Sequence, residues 1–191
     1  TYDQERSKIL SSIPEASRKR LEKELYLFAL SPLASALANA SKIKRELSFE
    51  WLPRELLRVR GQIDLLYLSD VGEWNLVDYK TNRITGREEA DERKKHYQLQ
   101  LSTYGAVLMR ALSLPSLRCS LYFSTLGESV SWVLEEKTAA RFETSLRKTL
   151  ERITEEKFPL NRGEICETCA FQKPCLENFM VKSSHETAAS V

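Results

Sequence analysis

The chain has 191 residues, 42% apolar and 29% charged, with a formal net charge of +2; that is enough for one cored domain with a small appendage. So small a net charge neither demands nor excludes a nucleic-acid partner, and any basic surface must be local. No run approaches 18 uninterrupted apolar residues, which excludes a membrane-spanning helix at this level. The opening TYDQERSKIL also lacks the charged and apolar regions of a secretory signal; beginning without Met, the chain is expected to be a piece of something longer.

In chain order, EASRKRLEKELYLFAL (15–30) predicts a helix that Ser31-Pro32 breaks, because proline disfavours helical geometry in the residue before it. A short helix resumes in LASALANASK. RELSFEW (45–51) alternates as a strand, with a loop at 53–55. Residues 58–68 and 73–80 predict two further strands joined by a turn at Ser69-Asp70-Val71-Gly72. Period two puts Trp74, Leu76, Asp78 and Lys80 on one face. Residues 83–95 carry five positive and four negative charges and little apolar content, the pattern of an exposed loop. A helix is expected over 92–112. Then come the strand SLRCSLYFS, with Leu117, Cys119, Leu121 and Phe123 on one face, its hairpin partner SVSWVLE, and a helix over 137–156. The tail SSHETAASV has the composition of disorder. This order predicts an α/β fold with a mixed central sheet flanked by helices.

Two aspartates stand out. Asp64 lies in Ile-Asp-Leu-Leu and Asp78 in Leu-Val-Asp-Tyr-Lys, both in strand-like segments, where carboxylates are depleted and costly to desolvate alone. Adjacent strands with a short turn let them converge, and Lys80 follows Asp78 by about 6.5 Å along the same face. Two carboxylates beside a lysine suit a divalent cation and a water held for attack on a phosphate. The lysine would orient or deprotonate that water, or offset transition-state charge. The plain alternative is an ordinary Asp–Lys pair at solvated strand ends. On the next helix Gln100 and Tyr104 are four residues apart and share a face; they either reach the same site or, for Tyr104, join the core with Tyr97, Leu101 and Leu108. Arg93, Lys94 and Lys95 are candidate contacts for a DNA backbone, or a solvated charged turn.

Together GQIDLLY, WNLVDYKTN and HYQLQLSTYGAVL resemble the RecB-like nucleases of the PD-(D/E)xK clan, most of all the C-terminal nuclease domain of RecB- and AddA-type helicase–nuclease subunits. The match runs over about 45–125 in motif order. The resemblance implies metal ligation by Asp64, Asp78 and the Tyr79 carbonyl, with Lys80, Gln100 and Tyr104 completing the catalytic set. The expected cofactor is Mg²⁺ or Mn²⁺. Glu46 resembles a supporting glutamate of the first core strand. These nucleases also carry a ligand histidine on a helix ahead of the first strand, but the histidines here are His96 and His185, and neither matches. That ligand lies upstream in the parent protein, or Glu22 or Glu24 replaces it.

Cys166, Cys169 and Cys175 form Cys-x2-Cys-x5-Cys, which resembles the C-terminal trio that related nucleases complete with a distant cysteine to hold a [4Fe–4S] cluster. Such a cluster needs four thiolates, and Cys119 reads as a core residue, so an intact cluster is not expected in this chain. Three reduced structural cysteines is the leading reading, with zinc completed by another ligand as the alternative. The domains are expected at 1–44 (helical lead-in), 45–160 (nuclease core) and 161–191 (cysteine segment and tail).

The implied function is metal-dependent DNA exonuclease activity in a helicase–nuclease of DNA end resection and recombinational repair, working in the bacterial cytoplasm at the nucleoid. A single strand would be delivered by a helicase domain of the same parent chain, with a second helicase–nuclease subunit alongside and no membrane involved. The chain has no GxxxxGK[ST] phosphate loop, so the motor would lie elsewhere in the parent. The alternatives are a nuclease fold that no longer cuts and serves DNA binding or subunit docking, and a stand-alone restriction or CRISPR adaptation nuclease.

Overall fold

The computed structural model describes residues 11, 13–54, 57–155, 163–173 and 175. The elements are α1 (Glu15–Ala29), α2 (Pro32–Ala38), β1 (Lys42–Arg54), β2 (Leu57–Leu68), β3 (Trp74–Lys80), α3 (Arg87–Leu112), β4 (Ser116–Phe123), β5 (Glu128–Glu135) and α4 (Glu136–Thr154), followed by a short 3-10 helix at Glu164–Thr168. The five strands form one sheet in the order β1-β2-β3-β4-β5. β3 and β4 are parallel and the other neighbours antiparallel, so the sheet is mixed and α3 is the crossover that parallel pairing requires. This is the α/β architecture expected from the order of elements.

Proline and serine set the first corner. Ser31 Oγ accepts from Ala34 N–H at 3.2 Å and caps α2, whose first residue is Pro32, a position where proline's missing N–H costs nothing. The β2–β3 turn closes through Gly72 at φ +83°, a left-handed conformation that suits glycine.

Two side-chain clusters sandwich the sheet. The larger holds Leu66, Leu76, Leu101, Leu108, Leu117, Cys119, Leu121, Phe123 and Leu134. The smaller, where Phe28 of α1 meets Tyr122, holds Leu33, Leu65, Tyr67 and Val77. Burying each large apolar side chain contributes about 1.5–3 kcal/mol relative to exposure. Cys119 is fully buried, and burial pushes its thiol up to about 12, so it is an inert core residue, as its strand position predicts.

Two elements differ from the sequence reading. The charged run 83–95 is not an exposed loop throughout: α3 begins at Arg87, five residues before the expected start. Thr85 N–H and Oγ1–H donate to Glu89 Oε2 at 2.9 and 3.0 Å, while Arg87–Asp91 and Arg93–Glu89 pair along the helix. Helical ion pairs thus do what apolar periodicity does elsewhere. β1 begins at Lys42, ahead of the expected start, and continues into the expected loop as far as Arg54. Residues 55–56 and the tail 176–191, on which the disorder expectation and His185 fall, lie outside the described residues.

The chain divides into compact units Thr1–Lys148 and Thr149–Val191. No described helix is long and apolar enough to cross a membrane.

Gly105 is where α3 meets the sheet: a Cβ there would stand 2.7 Å from Leu134 Cδ2 and 3.3 Å from Cys119 Sγ. Gly105→Val is expected to cost about 1–3 kcal/mol through overpacking, read by urea unfolding. Wild-type stability in that variant would show that the helix does not sit tightly on β4 and β5.

Candidate active site

The site begins with a break in strand alternation. On β1, Ile43 joins the smaller cluster while Leu47 and Phe49 join the larger; on β2, Tyr67 and Leu65 join the smaller and Ile63 the larger. Regular pleating would put each of these sets on one face. The switch occurs at Glu46, which has φ +52°, and opposite it at Asp64: the register passes from Arg45↔Leu65 to Leu47↔Ile63 and skips both. On its other side β2 pairs with β3 only as far as Leu65↔Val77, while β3 continues to Lys80 against β4. β2 and β3 therefore part just where the two aspartates stand.

In that fork Asp64 replaces the missing strand. Its Oδ2 accepts from Tyr79 N–H at 2.8 Å, satisfying a backbone donor that would otherwise lack a partner. The N–H and C=O of an extended residue face the same edge of a strand, so the Tyr79 carbonyl also faces the fork. The next carbonyl, Lys80 O, faces the opposite way and accepts from Ser124 N–H at 3.0 Å.

Asp78 is only 4% exposed. Its Oδ2 lies 2.6 Å from Lys80 Nζ and has no aligned hydrogen-bond donor among the described residues. Burial raises the carboxyl above its ordinary value, Lys80 holds it back, and the Asp64 charge pushes in the same direction as burial. Gln100 completes the cluster from α3. Its Nε2 donates to Asp78 Oδ1 and lies within reach of Tyr104 Oη, both at 3.3 Å, and its Oε1 accepts from Lys80 Nζ at 3.4 Å. Tyr104 has a second task, packing edge-on to Phe49 with centroids 5.1 Å apart. Gly61 permits this: a Cβ there would fall 2.5 Å from the Phe49 ring and 2.9 Å from that of Tyr104.

The sequence-predicted residues Asp64, Asp78, Tyr79, Lys80, Gln100 and Tyr104 are thus gathered at one place. The others have different surroundings. Glu46 is exposed and accepts from Gln62 Nε2 at 2.7 Å. Arg93 pairs with Glu89, Lys94 lies over the Trp132 ring at 5.0 Å, and Lys95 and His96 are exposed on α3. Glu22 is exposed; Glu24 accepts from Arg20 Nε and Ser124 Oγ, each at 2.6 Å. Burial would raise the Glu24 carboxyl, but these bonds outweigh it and hold it below the usual range. Cys169 and Cys175 are exposed and Cys166 half-buried. Among the described residues no three His, Cys, Asp or Glu side chains gather into a metal-holding group.

Sequence reasoning missed Tyr97, which it grouped with the apolar face of the helix. Lys80 Nζ lies 3.9 Å from the centroid of its ring. The available signal was its spacing, three residues ahead of Gln100, which puts both on one side of α3.

The oxygens present fit a small hard cation: a buried Asp78 oxygen held only by the Lys80 ammonium, the Asp64 carboxylate beside it, and a carbonyl facing the same fork. Mg²⁺ takes one or two carboxylates and keeps its waters, so a third acidic ligand is not needed.

The profile of the PD-(D/E)XK nuclease superfamily matches residues 3–176, nearly the whole chain. The protein belongs to that superfamily. No curated protein matches. Among solved structures, that of SSO0001 is similar at 15% identity over 88% of this chain and 75% of its own, with a TM-score of 0.41.

Because burial raises Asp78, the folded chain holds that proton more tightly than the unfolded chain. The favourable contribution is full below the unfolded value, near 3.8, and is lost as pH rises through the higher folded value. In metal-free buffer, wild type should therefore lose stability relative to Asp78→Asn as pH rises from that value. Urea unfolding of both chains across pH checks this, and a pH-independent difference would contradict it.

Proposed function

We propose that this member of the PD-(D/E)XK nuclease superfamily is a divalent-metal-dependent deoxyribonuclease domain that hydrolyses DNA phosphodiesters at the β2–β3 fork. One observation carries the reading: a buried carboxylate, a second carboxylate and a lysine, drawn from two strands that part at that point, converge beside a glutamine from the crossover helix. Asp64 caps the Tyr79 N–H, but a neutral acceptor would do that without adding its charge to a buried acid, as Asp64 does to Asp78.

Asp64, Asp78 and the Tyr79 carbonyl would hold Mg²⁺ or Mn²⁺. When bound, such an ion polarises a phosphate oxygen and acidifies its water. The protein's own groups do the rest. Asp78 is fixed by Gln100 and Lys80, and a bound ion would share its oxygens with them. The Lys80 ammonium stands ready to offset charge that builds on the phosphate, in a site dry enough to strengthen the interaction. Gln100, held between Asp78 and Tyr104, accepts from the lysine before substrate arrives.

The finer reading is an exonuclease acting on a single strand, as the nuclease part of a helicase–nuclease in DNA end resection and recombinational repair. It would work in the bacterial cytoplasm at the nucleoid, beside a helicase domain and a second subunit. The motif order from Gly61 to Tyr104 supports it. The Cys166, Cys169 and Cys175 trio would then stay as reduced thiols in this chain rather than a [4Fe–4S] or zinc site.

Purified protein is expected to cut linear single- or double-stranded DNA with Mg²⁺ or Mn²⁺ and not with EDTA. Asp78→Ala and Lys80→Ala should each lower the rate at least about a hundredfold. Cutting of closed circular DNA would sink the exonuclease part alone. A folded chain that binds DNA, cuts none and behaves like both variants would leave the docking or DNA-binding reading in its place.

A further inference from the structure

We infer that Tyr97 is a positioning residue for Lys80 in the reaction proposed above, its aromatic face holding the ammonium while Asp78 and Gln100 engage metal and phosphate. The inference rests on that reading of the site.

Lys80 leaves β3 on a flexible four-carbon stem, so its head needs fixed neighbours to occupy one place. Among the described residues it has three: Asp78 Oδ2 at 2.6 Å, Gln100 Oε1 at 3.4 Å and the Tyr97 ring centroid at 3.9 Å. The first two are the groups that hydrolysis calls upon. Asp78 must share its oxygens with a cation, and Gln100 is an amide within reach of a phosphate. The ring face has no competing ligand, and a desolvated ammonium over an aromatic ring is attracted by the ring quadrupole. It is the one neighbour that can keep Lys80 in place through the reaction.

The ring is itself tied to the end of the catalytic strand. Tyr97 Oη–H donates to Asn82 Oδ1 at 3.0 Å, two residues beyond Lys80. That segment is pinned again by Arg20 Nη2, which donates to Thr81 O at 2.8 Å, and by Thr125 Oγ1, which donates to Asn82 O at 3.0 Å. Lysine and ring are thus held to one short stretch of backbone, and α3 and β3 cannot shift without moving both. Tyr97 also packs against the larger core cluster, a role leucine would fill equally well. Only the ring accounts for a cation over its face.

Two readouts test this, one of them independent of activity. In protein labelled at lysine, the Lys80 ε-methylene signal, assigned by its loss in Lys80→Arg, should be shifted upfield by the ring current. It should return to the ordinary lysine position in Tyr97→Leu and stay shifted in Tyr97→Phe. In DNA cleavage, Tyr97→Leu should lower kcat roughly three- to thirtyfold with KM unchanged, and Tyr97→Phe should restore it. An unshifted Lys80 signal in wild type, wild-type kcat in Tyr97→Leu, or failure of phenylalanine to rescue would each overturn the inference while the nuclease reading stands. A shifted signal in a chain that cuts no DNA would fail the nuclease reading, and the positioning role with it.

Discussion

The structure depends on a carboxylate almost wholly withdrawn from water. Asp78 stands on a central strand with leucines on either side of its face, Leu76 before it and Leu121 across the ladder. An unpaired charge there would cost several kcal/mol. Every nearby polar group answers that cost: Lys80 along the strand, Gln100 from the crossover helix and, behind them, Tyr104 and Tyr97. Asp64 is the exception, since its charge adds to the burden. Two acids are thus held together at the expense of stability, beyond what capping the Tyr79 N–H requires.

The sheet geometry that makes this possible is local. The left-handed Glu46 and the skipped pair at Asp64 turn both strands over, so that one hairpin supplies apolar side chains to both clusters along its length. The same break ends the β2–β3 ladder early and leaves a strand edge open beside Asp78. Backbone donors rarely stay unpaired, and here the Asp64 carboxylate takes the one at Tyr79. A residue that looks out of place in a strand is therefore what terminates the pairing cleanly.

Helix α3 holds the other half of the site. Its first turns are a ladder of ion pairs closed by Glu89 onto Thr85, and its last turns are buried leucines and Met109 packed on β4 and β5. Between them lie Tyr97, Gln100 and Tyr104. Gly61 lets the aromatic rings of Phe49 and Tyr104 settle over β2, and Gly105 lets the helix approach Leu134. The fixed helix gives the amide of Gln100 a reliable direction, and the two glycines are where the backbone makes room.

Much of this was legible in the residues. Element order, the face shared by Asp78 and Lys80, the burial of Cys119 and the Gln100–Tyr104 pair follow from periods of two and 3.6, which act over a few residues and are written locally. Membership of the superfamily was legible too, in the spacing from Gly61 to Tyr104. The charged start of α3 was not, because its helix is stabilised by ion pairs and a cap, which hydrophobic periodicity does not register. Nor was the fork: the sequence of β1 and β2 alternates well enough for regular strands, and only the pairing of Glu46 against Asp64 shows where alternation reverses. The aromatic face under Lys80 was equally hidden, since Tyr97 has the spacing of a core residue and becomes a cation's neighbour only when α3 is laid across the end of β3. By itself the sequence determined which side chains share a face within β3, β4 and α3, where the period runs unbroken. The tertiary structure decided which faces meet, because that depends on contacts between residues far apart in the chain.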